Sequence, residues 1–359
     1  MLNEAPPFWW KKNSVMGWLL APIGYLYGRA AARILNSDPT SEVPVPVICV
    51  GNFVTGGAGK TPTVELLTRY AKSKQMKPGI LSRGYGGAVT TPTRVDPDKH
   101  NAHDVGDEAL LHVKNAVTVV SADRPKGAKM LVELGCDVII MDDGFQNPSL
   151  KKDFHLIVVD RKRGLGNGHS IPAGPLRAPL HQQLMLTDAA FLIGDGDAAD
   201  KTIRKIARAA KPFFYGKVQA IAGADFKGMK ALAFAGIADP SKFFDTLRQN
   251  GVEVIDTQAF GDHHVFTAEE CEDLLQRAQE QELQLLTTTK DIVRMRDMGP
   301  GPIRLLEESV AVPVHMVPED PHMLSRIFET AISRADARRI KSDDVSKKAA
   351  EATGSLALQ

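Results

Sequence analysis

The stretch VICVGNFVTGGAGKT, residues 47–61, passes from an apolar segment through a glycine-rich turn to Lys-Thr. This order is typical of a strand, a phosphate-binding loop and a helix. Backbone N–H groups of such a turn converge on an anion, and the helix adds its positive N-terminal end. Lys60 would reach the β- and γ-phosphates of a nucleotide, and Thr61 would bind Mg²⁺. The turn that would cradle the phosphates consists of Gly56, Gly57, Ala58 and Gly59.

The loop departs from the pattern G-x-x-x-x-G-K-[ST] at one position, because Val54 stands where the pattern has its first glycine. One alternative is a glycine-rich turn that only joins a strand to a helix. Another is the K-G-G-x-G-K-[ST] loop of ATPases that move partner proteins, in which the first lysine completes a neighbouring subunit's site. Thr55 occupies that lysine position here, which argues against this class.

Composition indicates a globular protein of 359 residues, long enough for two domains, with a formal net charge of +1. This charge does not indicate a polyanion-binding protein, so we expect no nucleic-acid partner. Cys49, Cys136 and Cys271 are odd in number and widely spaced, without a C-x-x-C pair, and they predict neither a disulfide framework nor a zinc site. A reducing, ATP-containing cytoplasm fits this pattern.

The N-terminal residues 6–34 are rich in aromatic and large apolar side chains, with lysines and arginines on both sides. The uncharged run 13–28 is shorter than the ~20 residues of a membrane-spanning helix. We therefore predict an interfacial amphipathic helix within residues 1–34, with Trp and Tyr at the level of the lipid headgroups. A buried packing helix and a secretory signal or signal anchor are the alternatives, although export would separate the loop from ATP.

Strand-like apolar runs recur after the loop at residues 79–82, 116–121, 138–141, 156–160 and 190–194. Helical patterns alternate with them at residues 62–75, 108–115, 125–134 and 198–210. This alternation predicts a mostly parallel sheet with helices on both faces, an α/β fold of the P-loop NTPase type, over residues 35–212.

A second, shorter series of strands and helices begins near residue 231, and we predict a smaller C-terminal α/β lobe over residues 213–333. From Arg334 the chain is rich in Lys, Asp, Ala and Ser without apolar periodicity. Residues 334–359 are therefore predicted to be a disordered tail.

Two carboxylates, Asp142 and Asp143, end one of the apolar strands, and Gln146 follows closely. An acid that organises Mg²⁺ is expected at the carboxyl end of a strand beside a phosphate loop. A solvated Asp-Asp-Gly turn is the alternative. Gln146 would orient nucleotide or water.

Other charged residues lie at the same predicted edge of the sheet. Asp107 precedes a predicted helix, so it is either functional or an N-cap. Arg83 and Arg124 each closely follow a strand, where a guanidinium can bind phosphate in a bidentate manner. A further basic loop suits an acidic ligand and contains Arg161, Lys162, Arg163 and Arg177.

The segment FGDHH, residues 260–264, follows a strand of the second lobe. A histidine beside an aspartate in a loop can orient or act as a general base. An ordinary surface histidine pair and a metal site are the alternatives, but no further ligand stands at the usual spacing. Lys290 follows the next strand and would come to the same edge.

Seven segments occur in the order GNFVTGGAGKTP, SRGYGG, GDEALL, MDDGFQNP, IPAGPLRAP, FGDHHVF and TTTKDIVRM. This combination resembles the tetraacyldisaccharide 4′-kinase family of the lipid A pathway in Gram-negative bacteria, over nearly the whole chain. The resemblance implies phosphorylation of the 4′-hydroxyl of a tetraacylated glucosamine disaccharide 1-phosphate, with ATP and Mg²⁺. It also implies a peripheral enzyme at the cytoplasmic face of the inner membrane, which would explain the aromatic N-terminus.

The resemblance also implies roles at matching positions. It places Lys60 and Thr61 on phosphates and Mg²⁺, and Asp142 and Asp143 in the organisation of metal and phosphate. Contacts with phosphate, nucleotide or substrate are implied for Arg124, Arg83, Tyr85, Gln146 and Arg177.

Activation of the acceptor hydroxyl is implied for Asp107 together with one histidine of the Asp-His-His segment. His263 is chosen because it directly follows the aspartate, and His264 is the alternative. Two positions depart from the family pattern, since Thr289 replaces a Glu and Ala178 replaces an acid.

Two other function classes are open to a P-loop protein with a membrane-surface helix. One is a nucleotide-driven switch that docks on membranes and controls partner proteins, against which Thr55 and the Asp-His-His segment argue. The other is a membrane-binding scaffold with a vestigial loop, against which Lys60, Thr61 and the Asp142-Asp143 pair argue.

Overall fold

The computed structural model describes residues 5–57, 59–220, 226–296 and 299–356, with side chains up to residue 341. The strands are β1 Val47–Gly51, β2 Pro78–Ser82, β3 Thr93–Arg94, β4 Val117–Val120, β5 Val138–Asp142, β6 Phe154–Asp160, β7 Ala189–Ile193, β8 Phe213–Ala220, β9 Lys230–Ala235, β10 Glu253–Ala259, β11 Gln284–Thr288, β12 Ser309–Val312 and β13 Val314–Pro318. The α-helices, after a 3₁₀ turn at Pro7–Trp10, are α1 Val15–Leu35, α2 Lys60–Ser73, α3 Ala102–Val105, α4 Asp107–His112, α5 Arg124–Glu133, α6 Leu180–Leu186, α7 Asp200–Arg208, α8 Pro240–Gln249, α9 Ala268–Glu280, α10 Thr289–Met295, α11 Pro300–Glu308 and α12 Met323–Leu356.

The larger sheet has the strand order β13-β8-β7-β6-β1-β5-β2-β4-β3. The strands from β8 to β4 run parallel, and antiparallel β13 and β3 form the two edges. Side chains of β1 alternate between two apolar cores, with Val47 and Cys49 on one face and Ile48 and Val50 on the other. Because β1 is buried on both faces, its sequence is a continuous apolar run. The predicted α/β fold class is confirmed.

The smaller sheet is parallel and has the order β10-β9-β11-β12. Phe243, Phe244 and Leu247 of α8 cover one face, and Cys271 and Leu274 of α9 belong to the core on the other. The C-terminal α/β lobe therefore exists as a separate layered unit.

The limits of this lobe differ from the predicted residues 213–333. Strand β8 pairs with β7, with Phe213 opposite Ala190, and belongs to the larger sheet. The chain then returns after β12, because β13 pairs with β8 through Val314 opposite Ala220. Both ends of the predicted lobe, β8 and β13, therefore belong to the larger sheet through main-chain hydrogen bonds.

The helix α12 corrects the predicted disordered tail. Ala335 is buried, Arg334 Nη1 donates to Asp188 Oδ1 at 2.7 Å, and Arg338 Nη2 donates to Asp153 Oδ2 at 2.8 Å. These contacts anchor residues 334–341 as part of the helix. Composition did not predict them because both acids lie far away in the sequence.

The N-terminal helix α1 contacts the rest of the protein through a narrow glycine face. Gly17, Gly24 and Gly28 are buried, and a Cβ at Gly24 would lie 2.7 Å from the carbonyl oxygen of Ser170. Large apolar side chains on the remaining surface are exposed, which rules out a helix buried on all sides: Val15, Met16, Trp18, Leu19, Ile23, Tyr25, Leu26, Tyr27 and Ile34. In the described part of the chain, no helix combines the length and apolarity needed to cross a bilayer.

Candidate active site

The phosphate-loop segment lies between β1 and α2, at the carboxyl edge of the larger sheet where α/β proteins bind ligands. Gly56 and Gly59 have φ of 101° and 90°, which favour glycine. Gly59 is the N-cap of α2, so Lys60 and Thr61 begin the helix. Ala58 lies outside the described residues. The loop thus offers the positive end of a helix to an anion.

A second loop, residues 175–177, pairs with residues 53–55 at the start of the phosphate loop. Val54 pairs with Leu176 in an antiparallel bridge, and Thr55 N donates to Pro175 O at 3.0 Å. On the other side Arg177 N donates to Phe53 O at 3.0 Å. This extended pairing accounts for Val54 where the common pattern has a glycine, because a β-bridge needs no positive φ.

Asp143 is the centre of a charge cluster beside the loop. Its two oxygens accept from Arg177 Nη1 at 2.6 Å and Nη2 at 2.9 Å, and Lys60 Nζ lies 3.7 Å from Oδ2. Burial alone would raise the pKa of Asp143, but the charges of Lys60 and Arg177 hold that pKa well below its usual range. Asp143 is therefore an ionised group with both oxygens already engaged.

Gln146 supports this cluster from within the protein. Its Nε2 donates to Asn52 O at 2.9 Å and to Gln183 Oε1 at 3.0 Å, while its Oε1 accepts from Arg177 Nη1 at 3.2 Å. The side chain thus fixes Arg177 through bonds that do not involve a nucleotide.

Asp142 lies at the end of β5, opposite Val50 of β1 in the parallel register. Its Oδ2 accepts from His112 Nε2 at 2.9 Å, and both side chains are almost fully buried. Burial would lower the pKa of His112, but the hydrogen bond and charge of Asp142 raise it overall. Within the described residues, Asp142 Oδ1 has no hydrogen-bond partner.

Asp107 and His263 come together from the two lobes, as the resemblance implied. His263 Nδ1 lies 3.3 Å from Asp107 Oδ2. The same oxygen accepts from Arg294 Nε at 2.8 Å and Nη2 at 2.5 Å. Asp107 is the first residue of α4, whose N-cap is Gly106. The N-cap alternative is therefore wrong, since the side chain serves the contact between the lobes.

The charges of this cluster shift the pKa of both acid–base groups. Burial alone would raise the pKa of Asp107, but the hydrogen bond from His263 and the charge of Arg294 lower it far below its usual range. The same hydrogen bond raises the pKa of His263 above its ordinary value of 6.5. Asp107 is thus a firmly ionised carboxylate beside a histidine of increased basicity.

Glu108 forms a second contact between the lobes. Its Oε1 accepts from Lys290 Nζ at 2.8 Å and from Thr61 Oγ1 at 3.4 Å. The charge of Lys290 lowers the pKa of Glu108 to about 2. The predicted arrival of Lys290 at this edge is confirmed. Local sequence does not single out Glu108, because its partner Lys290 lies 182 positions away.

His264 has a different environment from His263. Its Nε2 lies 2.9 Å from Glu270 Oε2, and its ring stacks on Phe260 with centroids 4.6 Å apart. Glu270 also forms the capping box of α9 with Thr267. His264 therefore stabilises the start of a helix, whereas His263 faces Asp107.

The described residues contain no group of three or more His, Cys, Asp or Glu side chains that could hold a metal ion by themselves. A histidine-based metal site at residues 260–264 is therefore unsupported. A magnesium ion bound mainly by nucleotide phosphates needs only one or two protein ligands, so Asp142 and Thr61 fit that chemistry.

The three remaining predicted residues, Tyr85, Arg83 and Arg124, differ in exposure. Tyr85 is exposed, and its ring centroid lies 5.8 Å from that of His263. Arg83 is also exposed. Arg124 is buried and donates to Ser121 O at 2.7 Å, and its Nε has no partner within the described ranges.

Similarity to known proteins gives the family of this chain. The sequence profile of the tetraacyldisaccharide-1-P 4′-kinase family matches residues 16–333. The chain belongs to this family. A tetraacyldisaccharide 4′-kinase from Rhizobium leguminosarum bv. trifolii (strain WSM2304) is 48% identical over 341 residues, which cover 95% of this chain and 96% of the relative. One from Agrobacterium fabrum (strain C58 / ATCC 33970) is 46% identical over 341 residues, covering 95% and 98%.

A solved structure of the kinase family shares the fold. The crystal structure of LpxK from Aquifex aeolicus in complex with ATP matches with a TM-score of 0.67 and 26% identity, covering 89% of this chain and 100% of that one. Family membership confirms the predicted function and enzyme class, an ATP-dependent tetraacyldisaccharide 4′-kinase, with Mg²⁺ as the ion expected beside ATP. The alternatives of a nucleotide switch and a vestigial scaffold are set aside.

Proposed function

We propose that this kinase transfers the γ-phosphoryl group of ATP to the 4′-hydroxyl of a tetraacylated glucosamine disaccharide 1-phosphate, at the cytoplasmic face of the bacterial inner membrane. The observation that carries the proposal is the meeting of Asp107 and His263 beside the phosphate loop, at a junction of two lobes. A proton-accepting pair next to an ATP cradle is what phosphorylation of a sugar hydroxyl requires.

The phosphate end of the site is assigned to the loop and its neighbours. Backbone N–H groups of the loop and Lys60 would bind the β- and γ-phosphates, and Thr61 and Asp142 would be protein ligands of a nucleotide-bound magnesium ion. The unpartnered, buried Oδ1 of Asp142 supports this assignment. Bound Mg²⁺ would neutralise charge on the phosphate oxygens.

Asp143 is assigned to positioning rather than to direct metal binding. Both of its oxygens bind Arg177, so it holds that guanidinium and Lys60 in a fixed arrangement. Arg177 and the buried Arg124 would then stabilise charge on the transferring phosphoryl group.

The proton of the acceptor hydroxyl goes to His263 in this proposal. The hydrogen bond from His263 and the charge of Arg294 lower the pKa of Asp107 and make it a weak proton acceptor, whereas the same hydrogen bond makes His263 a stronger one. Asp107 then accepts a hydrogen bond from Nδ1–H, which leaves Nε2 to take the proton. Tyr85 and Arg83, exposed at the rim, are assigned to the sugar and its anionic groups.

The lipid surface is assigned to α1. Its exposed aromatic and aliphatic side chains and its flanking arginines and lysines suit the interface of an anionic bilayer. Tight glycine contacts to the protein would keep the catalytic cleft at the level of the headgroups.

Radiolabelled ATP with the disaccharide 1-phosphate precursor in detergent micelles tests the function. We expect label on the lipid, and none with an acceptor that lacks the 4′-hydroxyl. ATP hydrolysis without lipid product would contradict the kinase assignment, and so would the absence of both activities in folded protein.

A further inference from the structure

The six-residue helix α4 carries acid–base groups at both of its ends. Asp107 and Glu108 begin it and make the contacts between the lobes, and His112 ends it. His112 reaches from there to Asp142 at the end of β5, with Nε2 2.9 Å from Oδ2. His112 is fully buried. Among the described residues, its side chain bonds to Asp142 and not to the phosphate loop or to His263.

We propose that His112 is a positioning residue, which holds Asp142 Oδ2 so that Oδ1 stays free for the coordination shell of the nucleotide-bound magnesium ion. This inference rests on the proposed function, in which Asp142 serves the metal. At metal sites, a hydrogen-bond partner of a ligand commonly fixes the orientation of that ligand. His112 would do this for the carboxylate of Asp142.

The contrast between the two neighbouring acids supports this inference. Arg177 binds both oxygens of Asp143, so that carboxylate is fully engaged. Asp142 has one oxygen bonded and one buried without a partner within the described ranges. A buried carboxylate oxygen without a partner is costly unless a ligand satisfies it, so the asymmetry at Asp142 points to a ligand.

The backbone around Asp142 is already fixed, which leaves the side-chain torsion as the remaining freedom. Asp142 pairs in register with Val50, and Asp143 N donates to Val50 O at 2.9 Å. Without His112, the carboxylate could rotate between rotamers and lose its fixed orientation toward the metal. The effect of His112 should therefore appear in metal affinity, beyond any effect on folding.

Magnesium-dependent binding of ADP, measured by calorimetry with and without Mg²⁺, tests this inference independently of turnover. We expect His112→Leu to weaken the Mg²⁺-dependent part of binding by about 10- to 100-fold, the range for residues that orient metal ligands. His112→Gln should recover most of the loss, because its amide nitrogen can replace Nε2. His112→Asn should not recover the loss, because the asparagine side chain is one methylene shorter than that of glutamine. The comparison of these two variants keeps the test valid if the leucine variant does not fold.

His155→Leu is the matched control, since His155 Nδ1 also pairs with an aspartate, Asp188 Oδ2, at 3.2 Å. It should lower the melting temperature without changing the Mg²⁺ dependence. Equal losses in the His112 and His155 variants would overturn the inference, and so would unchanged Mg²⁺ dependence in His112→Leu or in His112→Asn.

Asp142→Asn distinguishes the proposed metal role of Asp142 from the proposed positioning role of His112. Loss of Mg²⁺ dependence in Asp142→Asn but not in His112→Leu would overturn the role of His112 and leave the metal role of Asp142 intact. Unchanged Mg²⁺ dependence in Asp142→Asn would overturn both.

Discussion

Lys60 is 9% exposed and lies 3.7 Å from Asp143 at the start of α2. Lys60→Ala removes the positive charge that we propose binds the β- and γ-phosphates, so we expect kcat to fall by about 10²- to 10³-fold. The melting temperature should change little, because the ion pair is not part of an apolar core. Lys72→Ala, an exposed lysine on the same helix, is the control. Turnover near that of the wild type at saturating ATP would exclude this loop as the catalytic cradle.

The proposed acid–base role of His263 predicts a particular pH dependence. The hydrogen bond to Asp107 raises the pKa of His263 above 6.5, and only the neutral ring accepts a proton. The logarithm of kcat/KM should therefore rise with pH and level off above this pKa. Asp107→Asn removes the stabilisation of the charged ring, so the midpoint should move to lower pH while the plateau falls. A midpoint that stays in place or rises would contradict the assignment of His263 as the proton acceptor.

At the scale of residues, candidate groups could be predicted where their chemistry is evident in a short motif. Lys60, Asp107 and His263 belong to this class. Arg294 was missed, although it stands four residues after Lys290 and so shares a face of a short helix with it. Its bond to Asp107 joins residues 187 positions apart, and no local pattern contains that information.

The helix α1 depends on close contact through its glycines. Gly24→Leu would place side-chain atoms against Ser170 O and Ala173, whose atoms would lie 2.7 and 2.9 Å from a Cβ. We expect α1 to be displaced and the free energy of unfolding to fall by about 1–3 kcal/mol, the usual cost of overpacking. Thermal unfolding and limited proteolysis near residues 11–14 measure this. Ala30→Leu, on the exposed side of the same helix, should have no such effect, and equal effects of the two variants would contradict the packing role of the glycine face.

At the scale of elements, the apolar strands and the amphipathic helices of the larger sheet could be predicted because their periodicity is local. The sheet to which β8 and β13 belong could not be predicted in this way. These strands pair through Val314 opposite Ala220, so the larger sheet includes a segment that follows the whole smaller lobe. The helical continuation past Arg334 likewise depends on acids contributed by distant strands.

At the scale of the whole molecule, the exposed face of α1 predicts binding to vesicles that contain anionic lipid. Leu19→Ser combined with Leu26→Ser removes two side chains that are 68% and 67% exposed, so sedimentation with vesicles should decrease. Salt should weaken the residual binding, because surface charges are screened over about 10 Å at 0.1 M. Val265→Ser changes a similarly exposed residue of the other lobe and should leave binding unchanged. Undiminished binding of the double variant would place the lipid contact elsewhere.

In the proposed mechanism, the two lobes together supply one proton-transfer unit. Asp107 belongs to α4 of the larger lobe and His263 to the loop after β10 of the smaller one, and their facing atoms are 3.3 Å apart. Residues that act as a unit show strongly non-additive losses when they are removed together.

The most direct test is a double-mutant cycle on kcat for lipid phosphorylation, with Asp107→Ala, His263→Ala and the combined variant. We expect each single variant to lose on the order of 10²- to 10⁴-fold, the range for general acid–base assistance. The combined variant should be scarcely slower than the slower single one, while the affinity for ATP stays close to that of the wild type. Losses that multiply in the combined variant, or a silent His263→Ala, would contradict the account.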